Sequence, residues 1–407
     1  VLRRLLAMLA ALLMVCVFHP ATTLATGTLE AANAALSGFA GHHETSPDFT
    51  QVPGSNEQRL SGRTNQSLSS HTRLASASIA APKIKGGNIV PKPLAGPPGL
   101  WAEWDWTNWI KPQVDRAMAL GLNAIRIIGA PQVVLARINP DLPAIPLATY
   151  IARWEQLATY CQENGLRLYP SLTEKWAYMY TQFGGLGGVP PWNFRDPAVT
   201  SVITASAAAL AKYPNVIGFD IFQEGGGSHS DGLTVDDVLA LYAAIRRVAP
   251  NVPLTTSDSS GSYPTAEAFW QDTESLSYQL WVHPDGADFV DVHIYLEGVD
   301  PTQIDSLIQR TKLPVLIGEY GGGQDIPAHA RIARYESAQR LHNRVDILGS
   351  FVWALADQGT TDDKRFGVFD NTGFSQPSYP STDGETPLST TSGQRPELVD
   401  ALSHFGD

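Results

Sequence analysis

From about position 84 onward, short apolar and β-branched runs alternate with longer stretches whose apolar residues recur every three or four positions. The first pattern is that of a strand buried on both faces, and the second that of a helix with one apolar stripe. Strands are predicted over 87–90, 124–128, 167–170, 217–222, 253–256, 289–293, 315–318 and 350–354. Helices are predicted over 110–120, 149–164, 197–212, 235–248, 265–278, 301–311 and 328–345. Local signals support several boundaries. Asp196-Pro197 reads as an N-cap followed by proline at the first helical position, Thr234 with Asp237 as a capping box, and Asn164-Gly165 as a helix stop. Eight strands alternating with helices predict a (β/α)₈ TIM barrel. A doubly wound sheet would place a glycine-rich turn after the first strand, whereas Gly86-Gly87 comes at or before it.

The first 82 residues have a different texture. Arg3 and Arg4 precede an apolar stretch from Leu5 to Phe18, with small residues between Ala21 and Ala25, so 1–25 reads as a secretory signal peptide. The stretch is short for a membrane span, and Val15 before Cys16 is too large for a lipidation signal. Residues 26–82 are rich in Ser, Thr, Ala, Gly and Asn and read as a disordered linker, leaving 83–407 for the barrel. His42, His43 and His71 lie in the linker without metal-ligand spacing, and no metal or organic cofactor is expected. Cleavage would leave Cys161 as the remaining cysteine, so no internal disulfide is expected. The net charge is −12, and losing Arg3 and Arg4 makes it more negative. That balance disfavours nucleic acid and anionic lipid as partners and is compatible with a neutral ligand such as a glycan. Between positions 360 and 395 the chain is polar and turn-rich, too poor in apolar residues for a second core, and a short final helix follows.

Two acidic residues end apolar runs and are followed by glycine or by Tyr-Gly. They are Glu224, after Ile217-Gly218-Phe219-Asp220-Ile221-Phe222-Gln223, and Glu319, after Pro314-Val315-Leu316-Ile317-Gly318. In a barrel these would end the fourth and seventh strands and face each other across one mouth. Two carboxyl groups in different protonation states suit glycoside hydrolysis, one as acid and one as nucleophile.

From about Ile84 to Phe374 the chain resembles glycoside hydrolase family 5 and related clan A barrel enzymes. Gly121-Leu122-Asn123-Ala124-Ile125-Arg126-Ile127 resembles the second strand, and the run ending in Glu224 resembles the acid/base strand. Asp291-Val292-His293-Ile294-Tyr295 resembles the His-x-Tyr strand, the run ending in Glu319-Tyr320-Gly321 the nucleophile strand, and Gly349-Ser350-Phe351-Val352-Trp353 the eighth. The resemblance implies Glu224 as acid/base, Glu319 as nucleophile, and Arg126, Gln223, His293, Tyr295 and Trp353 around the substrate. In residue terms, Arg126 would hold Glu319 ionised, Tyr295 would donate its hydroxyl to it, and Trp353 would offer a flat face to a sugar ring. His293 and Tyr295, two apart, share one strand face.

Two positions depart from the family. Gln223 stands where asparagine is usual, which adds a methylene and moves the amide. Ser171-Leu172-Thr173-Glu174 replaces the usual histidine at the third strand's end. Trp101, Trp104, Trp106 and Trp109 after the first strand, and Trp176, Tyr178, Tyr180 and Trp192 after the third, are placed for sugar stacking or for packing loops. The glycine-rich 225–231 loop suits a lid or a solvated turn. The expectation is a secreted retaining β-glycosidase acting on a β-linked glucan or mannan. The alternatives are a glycan-binding barrel without catalysis, or an exo-acting or transglycosylating enzyme of the same clan.

Overall fold

The computed structural model describes residues 82–92, 96–135, 144–173, 197–225, 233–358, 365–370 and 394–406. The signal segment, the linker up to residue 81, Glu174, Trp176, Tyr178, Tyr180, Trp192 and most of the 225–231 loop lie outside the described residues.

Nine parallel strand segments form one sheet: β1 (Ile84–Ile89), β2 (Ala124–Ile128), β3 (Arg167–Ser171), β4 (Phe219–Asp220), β5 (Leu254–Thr255), β6 (Ser257–Ser259), β7 (Val290–Ile294), β8 (Val315–Tyr320) and β9 (Ile347–Val352). Their order is β5-β4-β3-β2-β1-β9-β8-β7-β6. The two ends of that order, β5 and β6, flank Thr256 in one stretch of chain, so the sheet closes as a (β/α)₈ barrel with one divided stave. The division has a local cause. In a regular ladder the Ser257 amide would bond the β4 backbone, but it donates instead to Asp220 Oδ1 at 3.1 Å. β4 is also shorter than the predicted 217–222, at two residues.

Between the strands run α1 (Gly96–Glu103), α2 (Lys111–Ala119), α3 (Leu147–Glu163), α4 (Pro197–Leu210), α5 (Val235–Val248), α6 (Ala266–Gln271), α7 (Leu276–Val282), α8 (Asp305–Thr311) and α9 (Ala328–His342), and α10 (Pro396–Ser403) ends the chain. The Thr234 capping box is present, and Gly165 after α3 adopts φ +70°, which a residue lacking Cβ adopts without strain. The helix predicted over 265–278 is two helices. Thr265 and Ser275 each cap a new start, and Asp272 Oδ1 accepts from the Ser275 amide between them. Among the described residues, no helix is long and apolar enough to cross a membrane.

The core has two parts. Outside the strands, Val114, Ile127, Trp154, Leu157, Ile203, Leu241, Ile245, Ile317 and Leu341 pack the helices onto the barrel. Inside it, Ile84, Ala124, Tyr169, Phe289, Leu316 and Phe351 fill the lower end. Each such valine, leucine, isoleucine or phenylalanine contributes about 1.5–3 kcal/mol by leaving water. Two residues further along the same inward faces, polar groups replace apolar ones. Ala124 is succeeded by Arg126, and Phe289 by Asp291 and then His293. The apolar plug thus supports a buried polar layer at the C-terminal ends of the strands, where barrel sites form.

Candidate active site

Arg126, on β2, is fully buried at the centre of that layer. Its Nη1 donates to Glu319 Oε1 at 2.5 Å and to Asn88 Oδ1 at 3.0 Å, and Nη2 donates to Asp220 Oδ2 at 2.9 Å. Burial opposes its charge, but Glu319, Asp220 and Asp291 outweigh that cost and raise its pKa, so it stays a cation.

Glu319 is 1% exposed and accepts from two further donors. Tyr295 Oη donates to Oε2 at 2.5 Å, and Gln223 Nε2 to Oε1 at 3.2 Å. The Tyr295 pKa is raised well above its ordinary value by burial, then by Glu319 and Glu224, so the hydroxyl keeps its proton. These three partners of Glu319 are all donors, which suits an ionised carboxylate. The methylene that distinguishes Gln223 from asparagine lets its amide reach this neighbour. Gln223 Oε1 is buried and has no hydrogen-bond partner among the described residues.

Glu224 is held differently. It has a left-handed backbone, φ +51°, and its amide donates to Ser257 Oγ at 2.8 Å. Left-handed geometry costs a side-chain-bearing residue roughly 1–2 kcal/mol. Gly225 then lets the chain pass, because a Cβ there would lie 2.3 Å from the Phe222 ring. The carboxylate, 13% exposed as a side chain, meets His293 Nδ1 at 3.0 Å. Ser257 Oγ also donates to Asp220 Oδ2 at 2.9 Å. Asp220 therefore ties both glutamates together, one through Arg126 and the other through Ser257.

His293 is fully buried between the carboxylates, with Nδ1 also 3.4 Å from Glu319 Oε2. Burial opposes its charge, but Glu319 and the hydrogen bond to Glu224 outweigh it and its pKa is raised. Arg126 Nη2 approaches Nε2 at 3.4 Å. A guanidinium only donates, so in the neutral ring Nε2 is the acceptor and the proton sits on Nδ1, facing Glu224. One ligand atom each from Glu224, His293 and Glu319 lie within 4.8 Å of one another, a spacing compatible with a cation. That tautomer, however, places a proton on the nitrogen a metal would need, and Arg126 and Tyr295 already occupy the Glu319 oxygens.

Trp353 follows β9, is 9% exposed, and its amide donates to Tyr320 O at 2.7 Å. Arg126, Gln223, Glu224, His293, Tyr295 and Glu319 thus form one connected group, with Trp353 beside β8. Trp101 and Trp109 are buried, with their indole N–H groups on the Ile128 and Val90 carbonyls. Trp104 and Trp106 pack beside them, towards Gln156 and Tyr160 of α3. These four tryptophans pack the flank of the barrel rather than ring its mouth.

Sequence reasoning passed over Asn88, Asp220, Ser257 and Asp291. Asp291 accepts from Tyr169 Oη at 2.5 Å and from the Gly318 amide at 2.8 Å, and its pKa is raised to about 6, mainly by burial. A usable signal existed, since Asp220 and Asp291 interrupt otherwise apolar strands, where a charge needs a buried partner.

No family profile and no curated protein matches this sequence. Solved structures do. A GH5_18 protein from Bifidobacterium longum subsp. infantis is 14% identical over 80% of this chain and 80% of its own, with a TM-score of 0.51. A GH5_18 variant from Bifidobacterium longum subsp. longum, in complex with Manβ1-4GlcNAc, is 12% identical over 79% of this chain and 77% of its own, with a TM-score of 0.51. A GH5 xyloglucan-specific endo-β-1,4-glucanase from a metagenomic library, in complex with cellotriose, is 17% identical over 82% of this chain and 98% of its own, with a TM-score of 0.50. At such identities the likeness establishes the barrel fold.

Proposed function

We propose that this barrel is a retaining β-glycosidase, exported from the cell, that cleaves a β-linked glucan or mannan by double displacement. The observation that carries the reading is the pair of glutamates. Their nearest oxygens fall within 4.8 Å of each other, against separations of about 5–5.5 Å in retaining and about 6.5–9.5 Å in inverting enzymes. The pair is also unequal. Glu319 receives Arg126, Tyr295 and Gln223, whereas Glu224 faces His293.

In the first step a Glu319 oxygen attacks the anomeric carbon while Glu224 gives its proton to the leaving oxygen, and a glycosyl-enzyme ester forms. In the second, Glu224 takes a proton from water, the water oxygen attacks the anomeric carbon, and Glu319 departs as carboxylate. His293 keeps a donor on Glu224 as that group alternates between acid and base. Tyr295 and Arg126 share out the Glu319 charge before attack and after release.

Azide rescue tests the assignment. With an activated aryl β-glycoside, Glu319→Ala plus azide should yield the α-glycosyl azide, and Glu224→Ala plus azide the β-glycosyl azide. Rescue with the configurations interchanged would exchange the two roles. Binding of β-glycans by the wild type without any turnover would instead identify a non-catalytic glycan-binding barrel.

A further inference from the structure

The direction in which Glu319 points is not what its strand dictates. On β8, Leu316 faces the barrel interior and Ile317 the outer core. Strict alternation would turn Gly318 inward and Glu319 outward, beside Ile317. The pairing register shows how the side chain comes inside. Against β7, Val292 faces Ile317, yet the next residue, His293, faces Glu319. Against β9, Ile317 faces Ser350 and Tyr320 faces Val352, three steps on β8 for two on its partner. The strand therefore carries one extra residue at Gly318–Glu319 relative to both neighbours, a β-bulge. Beyond it Tyr320 lies in the outer core, stacked on Phe405 and edge-on to Tyr335.

A bulge takes peptide groups out of the ladder, and inside a barrel they need other partners. Gly318 N donates to Asp291 Oδ1 at 2.8 Å, and Gly318 O accepts from Asn88 Nδ2 at 3.2 Å. Asp291 is itself held by Tyr169 Oη on its other oxygen at 2.5 Å. The fit is close, since a Cβ on residue 318 would stand 2.3 Å from Asp291 Oδ1.

We propose that Asp291, anchored by Tyr169, is a positioning residue that fixes the Gly318 bulge and so turns Glu319 into the active site. The inference rests on the reading of Glu319 as nucleophile. Asp291 touches no reacting atom. It acts through one backbone amide, and Asn88 holds the carbonyl of the same residue, in the next peptide group, while supporting Arg126 through Oδ1.

The test compares Asp291→Ala, which removes the acceptor, with Asp291→Asn, which keeps an oxygen for the Gly318 amide. Asp291→Ala should lower kcat about 100-fold, the scale of a misplacement near 1 Å, with KM within about threefold of wild type. Asp291→Asn should recover kcat to within about tenfold of wild type. The Gly318 amide proton, followed by NMR, should shift upfield and lose exchange protection in the alanine variant and stay near its place in the asparagine variant. Equal kcat losses in the two variants, or an unmoved Gly318 amide in Asp291→Ala, would overturn the proposal. Should Asp291→Ala not fold, Tyr169→Phe leaves the acceptor but frees it. A loss of roughly tenfold with an intermediate amide shift supports the proposal, and wild-type values of both overturn it. A wild type inert on every glycoside would sink the glycosidase reading, and the amide readout would still decide the role of Asp291.

Discussion

Glu319 and Glu224 stand at the ends of two staves of one barrel and are built into it in opposite ways. Glu319 is sealed, with donors on both oxygens and a side-chain-clamped bulge behind it. Glu224 stands on a left-handed residue between a glutamine and a glycine, with more exposure and a histidine as neighbour. On the proposed mechanism the contrast separates two tasks. A group that must stay charged until it attacks is stabilised by fixed donors. A group that must give and take a proton needs a partner able to adapt and a path to water.

The largest effect should come from the sealed member. Glu319→Gln should reduce kcat about 10⁴-fold or more with a melting temperature no lower than that of wild type, and hydrolysis within tenfold of wild type would break the contrast. Next comes Glu224→Ala, for which poor leaving groups should slow by about 10²–10⁴-fold. Glycosylation by a dinitrophenyl glycoside, whose leaving group needs no proton, should stay near wild type, and pre-steady-state kinetics on the two substrate types read the difference. Tyr295→Phe removes one donor from Glu319 and should cost roughly 10–100-fold in kcat, the worth of a hydrogen bond to a charged group. An equal loss of activity on dinitrophenyl and alkyl glycosides would assign the tyrosine to Glu319, whereas a loss confined to alkyl glycosides would assign it to the acid.

The smallest expected effect on activity lies behind the Glu224 side, where the change is in stability. Asp258, 3% exposed, has its pKa raised to about 7, mainly by burial, with Asp272 and Glu224 adding to the shift. The folded form keeps this proton up to about 7, while the unfolded chain releases it near the ordinary value of 3.8. Across that window the folded form binds more protons, so rising pH lowers stability. Asp258→Asn should therefore melt progressively higher than wild type as pH rises from 4 to 7, with no added difference below 4, in thermal unfolding followed by circular dichroism. A melting difference independent of pH would remove Asp258 from this account.

Much of this arrangement was legible in the chain. The run at 124–128 is a strand with the predicted bounds, buried along its whole length. The shared face of His293 and Tyr295 followed from a period of two, and both reach the glutamates. What escaped were places where a side chain replaces backbone. Asp220 takes the Ser257 amide and divides a stave, and Asp291 takes the Gly318 amide and shifts a register. Periodicity alone would have sent Glu319 to the outer face. Only its resemblance to a known strand motif set it inside, and the motif names the residue without the bulge that turns it. The split of the 265–278 helix was readable in principle, since Thr265 and Ser275 are both good N-caps.

Arg126 stands between two carboxylates in direct contact, Glu319 and Asp220, so this buried trio carries more negative than positive charge. Such a deficit is costly to maintain in a folded interior. It is relieved when a positive centre forms nearby, as at the anomeric carbon of an oxocarbenium-like transition state. On the proposed mechanism the resting protein keeps an electrostatic debt that a reacting sugar helps settle, so in titration calorimetry a neutral substrate analogue of the same shape should bind more weakly than a cationic one.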